Sequence, residues 1–256
     1  MSVNFSLEDK VAIVTGGTSG IGKAIAIALA EAGANVIPTS RNLEKVTETV
    51  SIIEQLGRKS LVISTDVTRP DEVNNLINQV SDKFGKIDIL VNNAGMTIKK
   101  QIIDLALEEW DKVINLNLRA AFICCKAVGN VMIRQKAGKI INIASIGGQV
   151  ALVGSAPYCA SKGGLIQLTK VLSAEWAKYN IYVNAIGPGY IKTSLNEKFL
   201  YEGSELYNKI INRVPINRLG NVEDIQGIAV FLASEASNYI TGQVFFVDGG
   251  MLAYGV

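Results

Sequence analysis

The stretch TGGTSGIG, Thr15 to Gly22, follows the apolar run Val11–Thr15 and opens a segment in which Ile21, Ala24, Ile25, Ala28 and Leu29 recur at helical spacing. A glycine-rich turn between a strand and a helix is the context in which such a stretch binds phosphate. Gly16 allows the tight turn, Gly20 lets the backbone approach a pyrophosphate, and Gly22 permits close packing of helix on sheet. The helix N-terminus then supplies amide donors and the positive end of a dipole. The spacing is Gly-x-x-x-Gly-x-Gly rather than Gly-x-Gly-x-x-Gly, so the stretch alone would also suit a plain strand–helix turn.

The rest of the chain supports the phosphate reading. Short runs rich in Val and Ile, without polar alternation, are expected as strands at Val11–Thr15, Asn35–Thr39, Ser60–Thr65, Ile87–Val91, Lys139–Ala144, Ile181–Ile186 and Val244–Val247. Helix-length segments fall between them, at Gly22–Ala32, Leu43–Leu56, Asp71–Phe84, Glu108–Gln135, Ala156–Lys178 and Val222–Ala233. This alternation predicts an α/β fold: one doubly wound parallel β-sheet of Rossmann type, with helices on both faces, spanning residues 1–256. No internal repeat or linker interrupts it. The stretch from about Thr193 to Pro215, with Asn196, Lys198, Phe199, Tyr201 and Tyr207, breaks the rhythm and reads equally as a substrate lid or a packed surface helix pair.

Composition narrows the chemistry. The 256 residues carry a net charge of +2, giving no reason to expect a nucleic-acid or anionic-membrane partner. No signal peptide is evident, and no apolar run approaches the roughly 20 residues of a membrane span, so a soluble, cytoplasmic protein is expected. The three cysteines cannot make a disulfide framework, and Cys124 and Cys125 read as small core residues. Cys159 stands beside Tyr158, where a redox role competes with that of a small filler. There is no histidine. Ser-His-Asp and Cys-His hydrolysis and His-ligated zinc are therefore excluded, and no metal site is expected.

Further residues fall at expected strand ends. In VIPTSRN, Thr39 and Ser40 stand where an NAD site would place an acid, and Arg41 follows. A guanidinium matches a 2′-phosphate, which favours NADP with NAD possible, although no basic residue lies between Gly16 and Gly20. Asp66 in TDV could accept from an adenine amino group or simply cap a turn. In NNAG, Asn92 to Gly95, the amides can tie loops together and Gly95 leaves room for a flat ring. Lys99 and Lys100 follow, able to attract a carboxylate or remain solvated.

Tyr158 and Lys162 of SAPYCASKGG lie one turn apart on one helix face. A free phenol titrates near 10, too high for efficient proton transfer at neutral pH. A cation about 4 Å away, at an effective dielectric near 20, would favour the phenolate by up to about 4 kcal/mol. The pair can thus act as an acid/base without imidazole, and the small neighbours Ala156, Ala160, Ser161, Gly163 and Gly164 would let a cofactor lie against the helix. Ser145 ends the strand IINIAS, where its hydroxyl could hold a carbonyl oxygen. Asn117, within an apolar helix, needs a partner, and a water bridge to Lys162 is one candidate.

Together TGGTSGIG, NNAG, Asn117 in INLNL, Ser145, YCASK and GPGYIKT resemble the short-chain dehydrogenase/reductase family over essentially the whole chain. The resemblance implies hydride transfer between a nicotinamide cofactor and a small-molecule carbonyl or alcohol. Tyr158 would be the acid/base, Ser145 would orient the substrate oxygen, Lys162 would lower the Tyr158 pKa and bind the nicotinamide ribose, and Asn117 would sustain a proton relay. Cofactor contacts would come from Gly16, Thr18, Ser19, Gly20, Ile21 and Gly22; from Ser40, Arg41, Asp66 and Val67; from Asn93, Ala94 and Gly95; and from Pro188, Gly189, Ile191 and Thr193. The stretches AGMTIKK, WAKYNIYVNAIGPGYIKT and FVDGGM look like the gluconate 5-dehydrogenase branch, with a 3-oxoacyl thioester reductase as the alternative. A non-catalytic dinucleotide-binding sensor would be signalled by loss of the tyrosine, lysine or serine, and all three are present. The family is usually tetrameric, and a homotetramer is expected.

Overall fold

Residues alternate between the two faces of strand β1, Val11–Thr15, and both faces are apolar. Ala12 and Val14 join one buried cluster, with Ile25 and Leu29. Val11 and Ile13 join another, with Leu76, Val80 and Val128. A strand apolar on both sides demands cover on both sides, and that is the architecture found in the computed structural model, which describes residues 4–193 and 200–254.

Six parallel strands form one sheet in the order β2-β1-β3-β4-β5-β6. After β1 they are β2 (Asn35–Thr39), β3 (Ile89–Asn92), β4 (Gly138–Ile143), β5 (Ile181–Pro188) and β6 (Val244–Val247). The helices are α1 (Gly20–Glu31), α2 (Leu43–Gln55), α3 (Pro70–Phe84), α4 (Leu107–Ile114), α5 (Ala120–Gln135), α6 (Ala156–Trp176), α7 (Glu205–Ile211) and α8 (Gln226–Ala233). Residues of α1 and α8 cover one face, and residues of α3 and α5 the other. Because β1 lies between β2 and β3, the connections diverge there and open a crevice at the strands' carboxyl ends.

Three expectations are amended. Ser60–Thr65 is not a strand. The Val36 and Ser40 carbonyls face this segment, accepting from the Ser60 hydroxyl and the Thr65 amide, so Pro38 presents its side of β2 to the same edge. Proline has no N–H to offer there, and the ladder is interrupted. The Thr39 hydroxyl donates instead to the Ile63 carbonyl at 2.8 Å. Secondly, the helix read as one over Glu108–Gln135 contains a π-helical turn, Asn115–Arg119, between α4 and α5. Thirdly, the 29-residue helical run Leu107–Gln135 does reach the length and apolarity of a membrane span, but 56% of its most apolar window is buried within the protein.

The stretch read as lid or surface helices is only partly described, and Asn196, Lys198 and Phe199 lie outside the described residues. Beyond them Ser204 caps α7 by accepting from the Tyr207 amide at 3.1 Å. Leu200, Ile210, Val214 and Leu219 bury together against Tyr190 and Tyr207.

Gly22 shows how tightly the glycine turn is set. A Cβ there would collide with the Gly16 carbonyl and with Asn93 Nδ2. Gly22→Ala is therefore expected to cost about 1–3 kcal/mol of stability, measured by urea denaturation, and an unchanged midpoint would contradict this packing.

Candidate active site

Two loops close on each other above the β1–β3 crevice. The Thr15 hydroxyl accepts from the Asn93 and Ala94 amides at 3.0 and 3.2 Å. Asn93 Nδ2 donates to the Thr15 and Gly16 carbonyls at 3.1 and 3.0 Å. The glycine turn and the NNAG loop are thus one framework, as the amides of that motif implied. Gly16 and Gly20 both adopt positive φ, 61° and 50°, where an L side chain would be strained. Across the turn from Gly20 stands Thr193, whose Cγ2 would be 3.4 Å from an added Cβ. The segment carrying Thr193 is pinned by Gly189 N to the Val247 carbonyl (2.9 Å) and by a bridge between Ile191 and Gly220. The turn, NNAG and the segment after Pro188 therefore converge as expected.

At the end of β2, Thr18 donates to the Ser40 hydroxyl at 3.0 Å, joining the turn to the residues beside Arg41. The Arg41 charge reaches Asp66. Burial disfavours the Asp66 carboxylate, but bonds from the Thr68 hydroxyl and amide, with the Arg41 and Arg69 charges, hold it below its ordinary value. Asp66 Oδ1 accepts those bonds at 2.7 and 3.0 Å, so the turn-capping role is realised.

The reacting groups gather on α6 and at the end of β4. Lys162 is buried, 4% exposed, and its Nζ donates to the Ile143 carbonyl at 2.6 Å. Burial pushes its pKa down to about 8. The same Nζ lies 5.7 Å from the centroid of the Tyr158 ring. Burial raises the Tyr158 phenol above its ordinary value; a hydrogen bond with Ser145 works against this, and neighbouring Cys159 and Tyr190 add to it. Lys162 Nζ is engaged by the Ile143 carbonyl, and burial is the largest influence on the Tyr158 phenol. The Ser145 hydroxyl also accepts from the Gly147 amide at 3.0 Å, which fixes its position.

Asn117 ties three segments together. Its Oδ1 accepts from the Met96 amide at 2.8 Å, and its Nδ2 donates to the Met96 carbonyl (2.9 Å) and to the Ser161 hydroxyl (3.0 Å). Both amide protons are used in these bonds. The small residues of α6 serve the protein as well as any ligand: a Cβ on Gly164 would strike Leu118 of the π-helical turn, 2.8 Å away. Gly95 does offer a cradle, since a Cβ there would lie 3.6 Å from Lys162 Nζ.

Sequence reasoning assigned no role to Tyr190, although it lies inside the quoted GPGYIKT. It lines a cavity of about 170 Å³ with Val214, Ile216, Arg218, Asp224 and Asp248. That cavity contains neither Ser145, Tyr158 nor Lys162, which lie together at the end of β4 and on α6. Of the two lysines able to attract a carboxylate or remain solvated, Lys100 is paired with Glu109 at 2.6 Å. Cys124 and Cys125 are buried core thiols, and burial pushes Cys125 up to about 12.

A glycine-lined crevice at the carboxyl ends of β1 and β3, beside a Ser–Tyr pair and a buried lysine, defines an oxidoreductase built around a nicotinamide dinucleotide. The family model described as "Enoyl-(Acyl carrier protein) reductase" matches residues 16–252. The chain belongs to the short-chain dehydrogenase/reductase family, whose members act on CH–OH groups. It is 43% identical to a 2-dehydro-3-deoxy-D-gluconate 5-dehydrogenase of Pseudoalteromonas atlantica, over 98% of this chain and 99% of that one. It is 41% identical to a 3-oxoacyl-[acyl-carrier-protein] reductase of Synechocystis, over 97% and 99%. A gluconate 5-dehydrogenase from Burkholderia cenocepacia, solved in complex with NADP and tartrate, superposes with a TM-score of 0.95 at 36% identity, covering 99% of each chain.

The buried ammonium makes a prediction about stability. Folding lowers the Lys162 pKa to about 8, so between pH 8 and its unfolded value the unfolded chain binds more protons and stability rises with pH. Below pH 8 the cost of the buried charge is felt in full. Lys162→Met should therefore melt above the wild type at pH 6–7, with the gap closing toward pH 10, while activity is lost. A gap independent of pH would contradict the assignment.

Proposed function

We propose that the protein interconverts a secondary alcohol and a ketone on a sugar acid of the gluconate 5-dehydrogenase type, with NADP preferred over NAD. The observation that carries the reaction is the gathering of the Tyr158 phenol, the Ser145 hydroxyl and the buried Lys162, whose Nζ lies 5.7 Å from the Tyr158 ring centroid. The residues present fit a dinucleotide: the glycine turn forms a cradle that added Cβ atoms would fill, and Gly95 leaves space against Lys162. The turn from Gly16 to Gly22, with Thr18, Ser19 and Ile21, would hold the pyrophosphate. Ser40 and Arg41 would meet a 2′-phosphate, and Asp66 and Val67 the adenine. Asn93, Ala94, Gly95 and Lys162 would frame the nicotinamide ribose, with Pro188, Gly189, Ile191 and Thr193 at the nicotinamide.

When bound, the nicotinamide supplies hydride for reduction or accepts it for oxidation. In reduction, Ser145 holds the substrate oxygen and Tyr158 gives it a proton. Burial keeps the phenol protonated, as donation requires, and also makes it a weaker acid than a free tyrosine until charge enters the site. The resulting phenolate is stabilised by the Ser145 hydroxyl and by the nearby ammonium of Lys162. In oxidation the same groups act in reverse, and Tyr158 must first lose its proton. Asn117 holds the Met96 backbone and Ser161, and a water between it and Lys162 would complete a proton relay.

Lys99 supports the sugar-acid reading: it is exposed on the loop after β3 and forms no ion pair among the described residues. A 3-oxoacyl thioester is the second reading, favoured by an apolar rim. Ile102, Ile103 and Val153 are 68%, 89% and 87% exposed, on loops joined by the Lys100 N to Gly154 carbonyl bond of 2.9 Å. We further propose a cytoplasmic homotetramer, which would cover exposed Phe122 of α5 and Val171 of α6, and a substrate lid within the stretch 193–215.

Assay of NADPH and NADH oxidation with 5-ketogluconate and a 3-oxoacyl thioester separates the readings. The sugar-acid reading expects turnover of the keto-acid with NADPH preferred, and thioester turnover alone would replace it. Tyr158→Phe should lower kcat by about 10³-fold or more while still binding NADPH by fluorescence titration. Wild-type turnover in that variant would overturn the mechanism.

A further inference from the structure

Ser161 does not contact a reacting group in the scheme above, yet it occupies the junction between Asn117 and Tyr158. We infer that Ser161 is a positioning residue, transmitting the fixed side chain of Asn117 to the backbone of the catalytic tyrosine; this rests on the reading of Tyr158 as the acid/base. Its side chain is fully buried, with 0% exposure. Its Oγ donates to the Tyr158 carbonyl at 2.7 Å and accepts from Asn117 Nδ2 at 3.0 Å. A hydroxyl has one proton, and here it is spent on Tyr158 while the oxygen is held by Asn117.

The other arm of Asn117 grips both backbone groups of Met96, at 2.8 and 2.9 Å. Four hydrogen bonds therefore join three segments: the loop after β3, the π-helical turn and the first turns of α6. Met96 follows Gly95, the residue whose added Cβ would lie 3.2 Å from Asn117 Oδ1 and 3.6 Å from Lys162 Nζ. The loop that Asn117 holds is thus the wall facing the buried ammonium, and Ser161 sets the height of the tyrosine's turn against that wall. The π-helical turn, a local insertion found often at functional sites, carries Asn117 at its centre.

Serine and threonine hydroxyls commonly bond back to their own helix, and α6 contains two besides Ser161 that do so. Ser173 donates to the Lys170 carbonyl at 2.7 Å, and Thr169 to the Leu165 carbonyl at 2.8 Å. Ser161 resembles Ser173 in its backbone bond. It differs from Ser173 in receiving a donor from Asn117, 44 residues away in sequence; Thr169 likewise receives one from Asn142, but only Ser161 joins its donor to the tyrosine's backbone. Within a buried network each unmade bond carries a desolvation cost, so loss of the hydroxyl strands an amide proton of Asn117 as well.

The test is Ser161→Ala, compared with Ser161→Thr, which keeps a hydroxyl. For any alcohol or ketone the wild type turns over, Ser161→Ala should lower kcat by about 10- to 100-fold with KM within about threefold, and Ser161→Thr should recover most of that loss. Hydrogen exchange supplies a readout independent of activity: the peptide spanning residues 93–98 should exchange faster in Ser161→Ala than in the wild type, while peptides from β1 and α1 remain unchanged. A kcat within twofold of wild type, or unchanged exchange over residues 93–98, would overturn the inference. Should Tyr158→Phe retain full activity, the acid/base reading fails on its own, and the exchange measurement still reports whether Ser161 holds the loop.

Discussion

An ammonium group removed from water must find an acceptor, and at the carboxyl end of this sheet that acceptor is the Ile143 carbonyl, 2.6 Å from Lys162 Nζ. The site around Tyr158 is arranged about this one bond. It fixes the charge at the end of β4, one residue before Ala144 and two before Ser145. Burial then dominates the phenol as well, raising Tyr158 while it lowers Lys162, so that each group is pushed toward its neutral form. In the proposed reaction, positive charge brought into the site would favour the phenolate.

The framework beneath is built from side chains that bond to backbone. Thr15 and Asn93 weld the glycine turn to the NNAG loop, Asn117 holds Met96, and a further buried row runs from Asn92 to Asn142 to Thr169 at 2.9 Å each. Such bonds form in low dielectric, where they are strong if complete and costly if broken. Asn92 Oδ1 is a buried acceptor with no hydrogen-bond partner in this row, which marks it as the least satisfied point of the network.

Much of this was legible in the sequence. The apolar runs at Val11–Thr15, Asn35–Thr39 and Val244–Val247 are strands to the residue, because buried parallel strands carry a dense Val and Ile signal. Ser60–Thr65 carries the same signal and fails, since the deciding residue, Pro38, lies on the neighbouring strand. The π-helical turn was hidden because Asn115–Arg119 keeps the apolar pattern of an ordinary helix. Side chains of the candidate site were recognisable from their types and spacing, but their partners were not. Lys162 bonds to Ile143 and Asn117 to Met96 through main-chain atoms, which any residue would supply and which leave no trace in the sequence. Ser161 was visible only as a small neighbour of the Tyr–Lys pair, and Tyr190 only as part of a longer motif.

The account stands on the direction in which burial moves the phenol of Tyr158. Protein labelled with [ζ-¹³C]tyrosine, with Tyr158→Phe assigning the resonance, allows that one group to be titrated by NMR in the protein without cofactor and again with oxidised cofactor added. The expected result is a Tyr158 that titrates above the ordinary tyrosine value of about 10 in the protein alone and moves down when the cofactor's positive charge is present. A Tyr158 that already titrates below that value without cofactor would show that Lys162 acidifies it unaided, and would contradict the account.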